Sequence, residues 1–144
     1  MSEEIPPTIH ATAVALGEQA VLLIGPPGSG KSDLALRLME SGWRLVADDR
    51  VVLSRRGVML FASPAPSLAG LIEARGVGIC RVAFRAEAEV ALVAQLVPPE
   101  GVERLPQVLS RTFLDVPIPL INIAPFEASA PAKLRLALEG GVVR

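Results

Sequence analysis

The segment Gly25-Pro26-Pro27-Gly28-Ser29-Gly30-Lys31-Ser32 constrains this chain more than any other, because it is an uninterrupted G-x-x-x-x-G-K-S loop between an apolar run and a helix-like pattern. Glycines at 25, 28 and 30 allow backbone dihedrals closed to other residues, so successive amide N–H groups can point inward at phosphate oxygens. Lys31 adds a cation and Ser32 a hydroxyl. In this motif the lysine reaches the β- and γ-phosphates, the hydroxyl ligates Mg²⁺, and the following helix contributes the positive end of its dipole. The plain alternative is a Gly/Pro-rich turn with a chance lysine, and it leaves the strand-loop-helix context unaccounted for.

That context is explicit. Ala20 to Ile24 is a continuous apolar run of strand length feeding the loop. A helix is predicted from Lys31 to Ser41, with Leu34, Ala35 and Leu38 on one face, Arg37 and Glu40 on another, and Gly42 placed to cap it. Arg44 to Ala47 then reads as a short strand ending in Asp48-Asp49. Before the loop, Thr8 to Leu16 alternates as one strand closed by a turn at Gly17-Glu18. Residues 1–7, ending in Pro6-Pro7, are expected to form a loose arm.

Further along, Val51–Ser54 and Val58–Phe61, joined by Arg55-Arg56-Gly57, read as a hairpin, which places antiparallel strands in the same fold. Ser63 to Ser67 reads as a rigid loop and Leu68 to Ala74 as one or two helical turns. Val90 to Val97 alternates as a strand stopped by Pro98-Pro99, and Gly101 to Arg111 reads as loop with some helix. Leu120 to Ile123 is a short strand, and Ser129 to Glu139 a helix with Pro131 near its start and Gly140-Gly141 after it. The expected architecture is a single α/β domain, residues 1–144, with a phosphate-binding loop and a mixed sheet.

Composition narrows the partners. A net charge of −1 offers no basic face for nucleic acid or anionic membrane, so anion binding must be local. Cys80 is the only cysteine, which allows no internal disulfide and fits a reducing, cytoplasmic setting. Hydrophobic content is 51%, yet no apolar run approaches the about 18–20 residues of a spanning helix. An apolar excess with few aromatics suits a sheet buried on both faces or a subunit interface. Cys80 and Trp43 read as packing residues.

Asp48 and Asp49 close the strand after the loop helix, at the carboxyl edge where an open α/β sheet binds ligands. Alternation points them to opposite faces, so they should do different work. An aspartate there can hold Mg²⁺ or a metal-bound water, or accept a proton from an attacking hydroxyl; it can also be a solvated turn residue. In Gly70 to Ile79, Glu73 and Arg75 are charges in an apolar, Gly-rich segment, where either an ion pair or a ligand role is open.

The loop, the phrase Gly42-Trp43-Arg44-Leu45-Val46-Ala47-Asp48-Asp49-Arg50-Val51 and the segment Gly70 to Ile79 together resemble the catalytic domain of HPr kinase/phosphorylase, over about His10 to Pro119. That family phosphorylates a serine of HPr, a phosphocarrier of the bacterial sugar phosphotransferase system. Its fold is similar to the nucleotide-binding part of phosphoenolpyruvate carboxykinase. The resemblance implies that Gly25 to Ser32 bind ATP, with Lys31 on its phosphates, and that Ser32 and Glu73 bind Mg²⁺ with Asp48 on the metal side. Asp49 matches the acid/base aspartate, His10 an active-site histidine, and Arg104 a family arginine, although Pro106 stands where a glycine is expected. It also implies a homo-oligomer, a hexamer. Most members carry an N-terminal domain; this chain resembles the short alphaproteobacterial kind that lacks one. The family's P-V-x-x-G-R segment, tied to phosphorolysis of phosphoserine, falls at Ala124 to Ser129, which has no Gly-Arg pair. That departure speaks against the reverse reaction. Two other functions use the same loop: a small-molecule kinase, and a nucleotide-sensing module without catalysis.

Overall fold

The apolar run ahead of the phosphate loop is a central strand of a large mixed sheet. A computed structural model describes residues 7–143. The expected N-terminal arm therefore falls, except for Pro7, outside the described residues. Thr8–Ile9 (β1) and Thr12–Leu16 (β2) come first, followed by Gln19–Ile24 (β3) and the helix Lys31–Glu40 (α1). Then come Arg44–Ala47 (β4), the hairpin Val51–Arg56 (β5) and Met59–Pro64 (β6), and a second hairpin, Leu71–Ala74 (β7) and Gly78–Arg81 (β8). Ala88–Leu96 (β9), Leu109–Phe113 (β10), Val116–Ile123 (β11) and the helix Ala130–Leu138 (α2) complete the order.

The main sheet runs β1-β5-β6-β9-β3-β2-β4. β2 is antiparallel to both β3 and β4, so the strands flanking the loop helix run parallel with β2 between them. β3 is parallel to β9 on its other side. The far edge of β9 is shared: its start pairs with β6 and its end with β11, which in turn pairs with β10.

Period-two alternation divides these strands between two cores. Ala13, Ala15, Ala20, Leu22 and Ile24 face a core shared with Leu53, Leu60, Phe113 and Ile118. Val14, Val21 and Leu23 face the other, beneath Leu34 and Leu38 of α1, Ile72 of β7 and Leu134 of α2. The sheet is thus buried on both faces, which the apolar composition anticipated. Full burial of each such Leu or Val stabilises the fold by about 1.5–3 kcal/mol.

The two helices, the first hairpin and the strand at β9 stand where the sequence predicts. Four expectations are corrected. The first strand is interrupted at His10-Ala11, and the partner changes from β5, which pairs with β1, to β3 and β4, which pair with β2. Arg55 and Arg56 belong to β5, and the hairpin turn is Gly57-Val58, with Gly57 at φ +62°. The predicted helical turns over Leu68 to Ala74 are instead a 3₁₀ turn, Pro66–Leu68, followed by β7. Burial there alternates, with Ile72 and Ala74 inside and Glu73 outside, and Gly76 at φ +87° turns the chain into β8.

The fourth correction is at the C-terminal hairpin. The end of the expected loop over Gly101 to Arg111 is strand β10, and β11 starts four residues before Leu120, running through Pro117 and Pro119. Those prolines lie where β11 pairs only with β10 and its second edge is open, so no ladder hydrogen bond is lost.

Candidate active site

β3 delivers the chain to Gly25 and α1 begins at Lys31. Between them the loop is closed by the Ser29 N–H donating to the Pro26 carbonyl at 3.1 Å. Two of its glycines are required by conformation. Gly28 and Gly30 sit at φ +80° and +99°, in the left-handed region. Gly30 is also the N-cap of α1 and supplies no side-chain cap, which leaves the first-turn amides of the helix available to an anion. Gly25 is required by close approach, since a Cβ there would stand 2.6 Å from Ser29 Oγ. Lys31 folds back over the loop, its Nζ donating to the carbonyls of Gly25 at 2.7 Å and Pro26 at 3.1 Å. The cation is therefore held at the rim of the cradle.

Asp48 is the hub of the site. Its Oδ1 accepts from Ser32 Oγ at 2.8 Å and from Thr12 Oγ1 at 2.9 Å, and its Oδ2 accepts from the Glu73 N–H at 3.1 Å. One carboxylate thus ties β2, α1, β4 and β7 together. Thr12 and Asp48 are the only buried polar or charged residues among the described residues. Burying a carboxylate is unfavourable unless it is hydrogen-bonded, and three donors meet that requirement.

Asp49 does the opposite. Its side chain is exposed, at φ +66°, in a three-residue turn closed by the Arg50 N–H donating to the Asp48 carbonyl at 2.7 Å. The two carboxylates differ as strand alternation anticipates, but by another cause: β4 ends at Ala47, and Asp49 leaves the pleat through a left-handed residue. Such a conformation costs an L-residue about 1–2 kcal/mol, less for Asp, and outliers of this kind cluster at functional sites.

Glu73 lies on β7 with its amide on Asp48 and its side chain in solvent. The sequence suggested that a charge there must be neutralised in an apolar setting. It need not be, because Glu73 and Arg75 are both exposed, and among the described residues no ion pair joins them. His10 is exposed in the bend between β1 and β2, two residues before Thr12. Arg104 is exposed in the 102–108 segment and takes no part in the hydrogen bonds around Asp48.

Thr12 was not singled out in the sequence. Its signal was that of the only hydroxyl in the apolar strand Thr12–Leu16.

The donor set suits Mg²⁺. This hard cation keeps several waters and takes one or two carboxylates alongside substrate phosphates, so it needs no all-protein cage. Among the described residues no cluster of three carboxylate, histidine or cysteine ligands is present. A hydroxyl and a carboxylate 2.8 Å apart at the mouth of an anion cradle provide the shared arrangement instead.

Comparison with known proteins places this geometry. Residues 4–133 match the family described as the HPr Serine kinase C-terminal domain. The HPr kinase/phosphorylase of Lactobacillus acidophilus is 38% identical over 128 residues, covering 81% of this chain and 40% of that protein. The Lactiplantibacillus plantarum enzyme of the same name is 34% identical over 128 residues, with 81% of this chain and 41% of that protein covered. This chain thus spans about two fifths of the length of the curated relatives it matches. The structure of the Hpr(Ser) kinase/phosphatase from Coxiella burnetii superimposes with a TM-score of 0.82 at 27% identity, over 94% of this chain and 95% of that one. With the sequence match spanning the loop, Asp48-Asp49 and β7, and the fold match covering 94% of the chain, this chain belongs to the HPr serine kinase C-terminal domain family.

Proposed function

We propose that this chain is an ATP- and Mg²⁺-dependent protein serine kinase acting on an HPr-like phosphocarrier. The observation that carries the proposal is the pairing of Ser32 with Asp48 at the mouth of the phosphate loop, next to an exposed Asp49. Family membership supplies the substrate class, since the matched relatives are named for HPr.

In this reading the domain is a P-loop fold of the phosphoenolpyruvate carboxykinase kind. Gly25 to Ser32 hold the ATP phosphates through backbone amides, and Lys31 leaves the carbonyls of Gly25 and Pro26 for the phosphate oxygens. Ser32, Asp48 and Glu73 would hold Mg²⁺, which when bound supplies charge neutralisation on the phosphates. Asp49 accepts the proton of the incoming serine hydroxyl. As the serine oxygen bonds to the γ-phosphorus, the bond from that phosphorus to the ADP oxygen breaks and the proton passes to the Asp49 carboxylate. His10 and Arg104 are assigned to the protein-substrate side of the site, because both are exposed and neither joins the Asp48 cluster.

The forward direction dominates in this proposal, because Ala124 to Ser129 lacks the Gly-Arg pair associated with phosphorolysis. A cytoplasmic homo-oligomer, a hexamer by resemblance, completes it. Among the described residues no helix is long and apolar enough to cross a membrane.

Incubation with ATP, Mg²⁺ and a purified HPr-like protein from the same organism should add one phosphate to a carrier serine, read by mass spectrometry. Absence of phosphoserine on every such carrier counts against the assignment. Adding inorganic phosphate to the phosphorylated carrier tests the reverse reaction, and light scattering tests the oligomer, for which a monomer is the adverse outcome.

A further inference from the structure

Thr12 lies outside the phosphate loop, on β2, and is only 1% exposed, yet its hydroxyl reaches the carboxylate that meets Ser32. We infer that Thr12 is a positioning residue of the metal site: its hydroxyl fixes Asp48 so that Ser32 donates to that carboxylate and keeps its own lone pairs for the cation. This role rests on the Mg²⁺-nucleotide reading above and adds to it a residue one step behind the proposed ligands.

A β-bulge brings the two residues together. β2 and β4 pair Ala15 with Arg44 and Val14 with Leu45, but the next pair is Ala13 with Ala47, so β4 carries an extra residue over that step. The extra residue changes the phase of the strand. Leu45 packs on the α1 side with Val14, whereas Val46 and Ala47, adjacent in sequence, both pack in the opposite core with Ala13. Asp48 thereby returns to the α1 side, where Thr12 meets it from β2 and Ser32 from the first turn of α1. Without the bulge, alternation would turn Ala47 toward α1 and the Asp48 carboxylate away from it.

The lone pairs of Asp48 explain what the hydroxyl does. A carboxylate oxygen accepts about two hydrogen bonds. Oδ1 is filled by Thr12 at 2.9 Å from the sheet and by Ser32 at 2.8 Å from the helix, while Oδ2 takes the Glu73 N–H at 3.1 Å and keeps a lone pair. Any turn of the carboxylate breaks these contacts together. A serine hydroxyl has a single proton, and with it committed to Asp48 the lone pairs of Ser32 Oγ are left to face a hard cation. Without the Thr12 hydroxyl, Oδ1 is held from the helix side alone, and Ser32 can give its proton instead to a backbone carbonyl of the preceding turn.

The hydroxyl has no other task among the described residues, since Asp48 is its hydrogen-bond acceptor. An apolar β-branched residue would suit this buried strand without the cost of enclosing a polar group.

Titration calorimetry of the whole chain with ATP, in Mg²⁺ and in EDTA, separates the metal from the phosphate cradle. Thr12→Val keeps the shape and removes the hydroxyl. It should weaken ATP binding in Mg²⁺ by about tenfold or more, the usual cost of altering a group behind a metal ligand, and leave binding in EDTA within about twofold of the natural chain. Thr12→Ser keeps the hydroxyl and should stay within about threefold of the natural chain in both conditions. Equal weakening of the valine variant in Mg²⁺ and EDTA, or none in either, makes Thr12 a structural residue only and overturns its positioning role while the nucleotide reading stands. A serine variant that loses the Mg²⁺ effect also overturns that role, even where the valine variant fails to fold. A natural chain whose ATP affinity does not respond to Mg²⁺ overturns the metal reading and the role of Thr12 together.

Discussion

Ser32 and Asp48 are joined by a 2.8 Å hydrogen bond that links the first turn of α1 to the end of β4. With Thr12 and the Glu73 amide on the same carboxylate, Asp48 is at once a functional candidate and a structural tie. Asp48→Ala should therefore lower stability by about 2–3 kcal/mol, since it strands the buried Thr12 hydroxyl and removes a charge-assisted cluster. Asp49→Asn, one residue away and exposed, should change stability by less than about 0.5 kcal/mol. Urea unfolding of both variants checks the contrast; equal losses would mean that Asp49 is structural too.

Asp49 should show the reverse trade-off. Its φ of +66° suits glycine better than any side chain. Asp49→Gly is expected to be neutral or to stabilise by up to about 1 kcal/mol, while Asp49→Ala should destabilise by up to about 1 kcal/mol, because Ala tolerates the left-handed region less well than Asp does. Both should lower the phosphotransfer rate by about 10²–10⁴-fold, the usual contribution of a general base. Thermal melts and carrier phosphorylation separate the two effects. A large loss of stability in the glycine variant would show that the left-handed turn is not where the strain lies.

The local elements of the candidate site were more legible in the sequence than the sheet was. The loop, α1 and the Asp48-Asp49 step were legible because each rests on local chemistry: glycines at positive φ, a 3.6-residue period with a glycine stop, and a strand ending in carboxylates. Leu71 to Ala74 was not, because a short apolar segment between glycines suits either a helical turn or a strand, and its pairing with Gly78 to Arg81 decides the matter. Pro117 and Pro119 likewise concealed most of β11, since only the sheet shows that their stretch has an open edge. The role of Thr12 depended on a contact 36 residues away.

Gly30 and Phe126 should be energetically coupled. Gly30→Ala places a Cβ at φ +99° and 2.8 Å from the Phe126 ring, so both backbone strain and a clash oppose it. A loss of about 2 kcal/mol or more is expected, combining the left-handed penalty with displacement of the ring. In a Phe126→Ala background the clash is gone and only the backbone part should remain, giving a coupling of at least about 0.5 kcal/mol in a double-mutant cycle. Strict additivity would mean that the ring swings away freely.

Glu73→Gln isolates the proposed metal role, because the residue's structural contact to Asp48 is made by its backbone amide and its side chain is exposed. Stability should be unchanged within about 0.5 kcal/mol. The Mg²⁺ concentration giving half-maximal carrier phosphorylation should rise by about tenfold or more, since even residues outside the ligand shell cost about 10–100-fold in metal affinity when altered. The maximal rate at saturating Mg²⁺ should fall less than in Asp49→Asn, because glutamine retains one oxygen ligand while the proton acceptor stays in place. A variant with an unchanged Mg²⁺ requirement would remove Glu73 from the metal site and leave its backbone tie to Asp48 as its whole contribution.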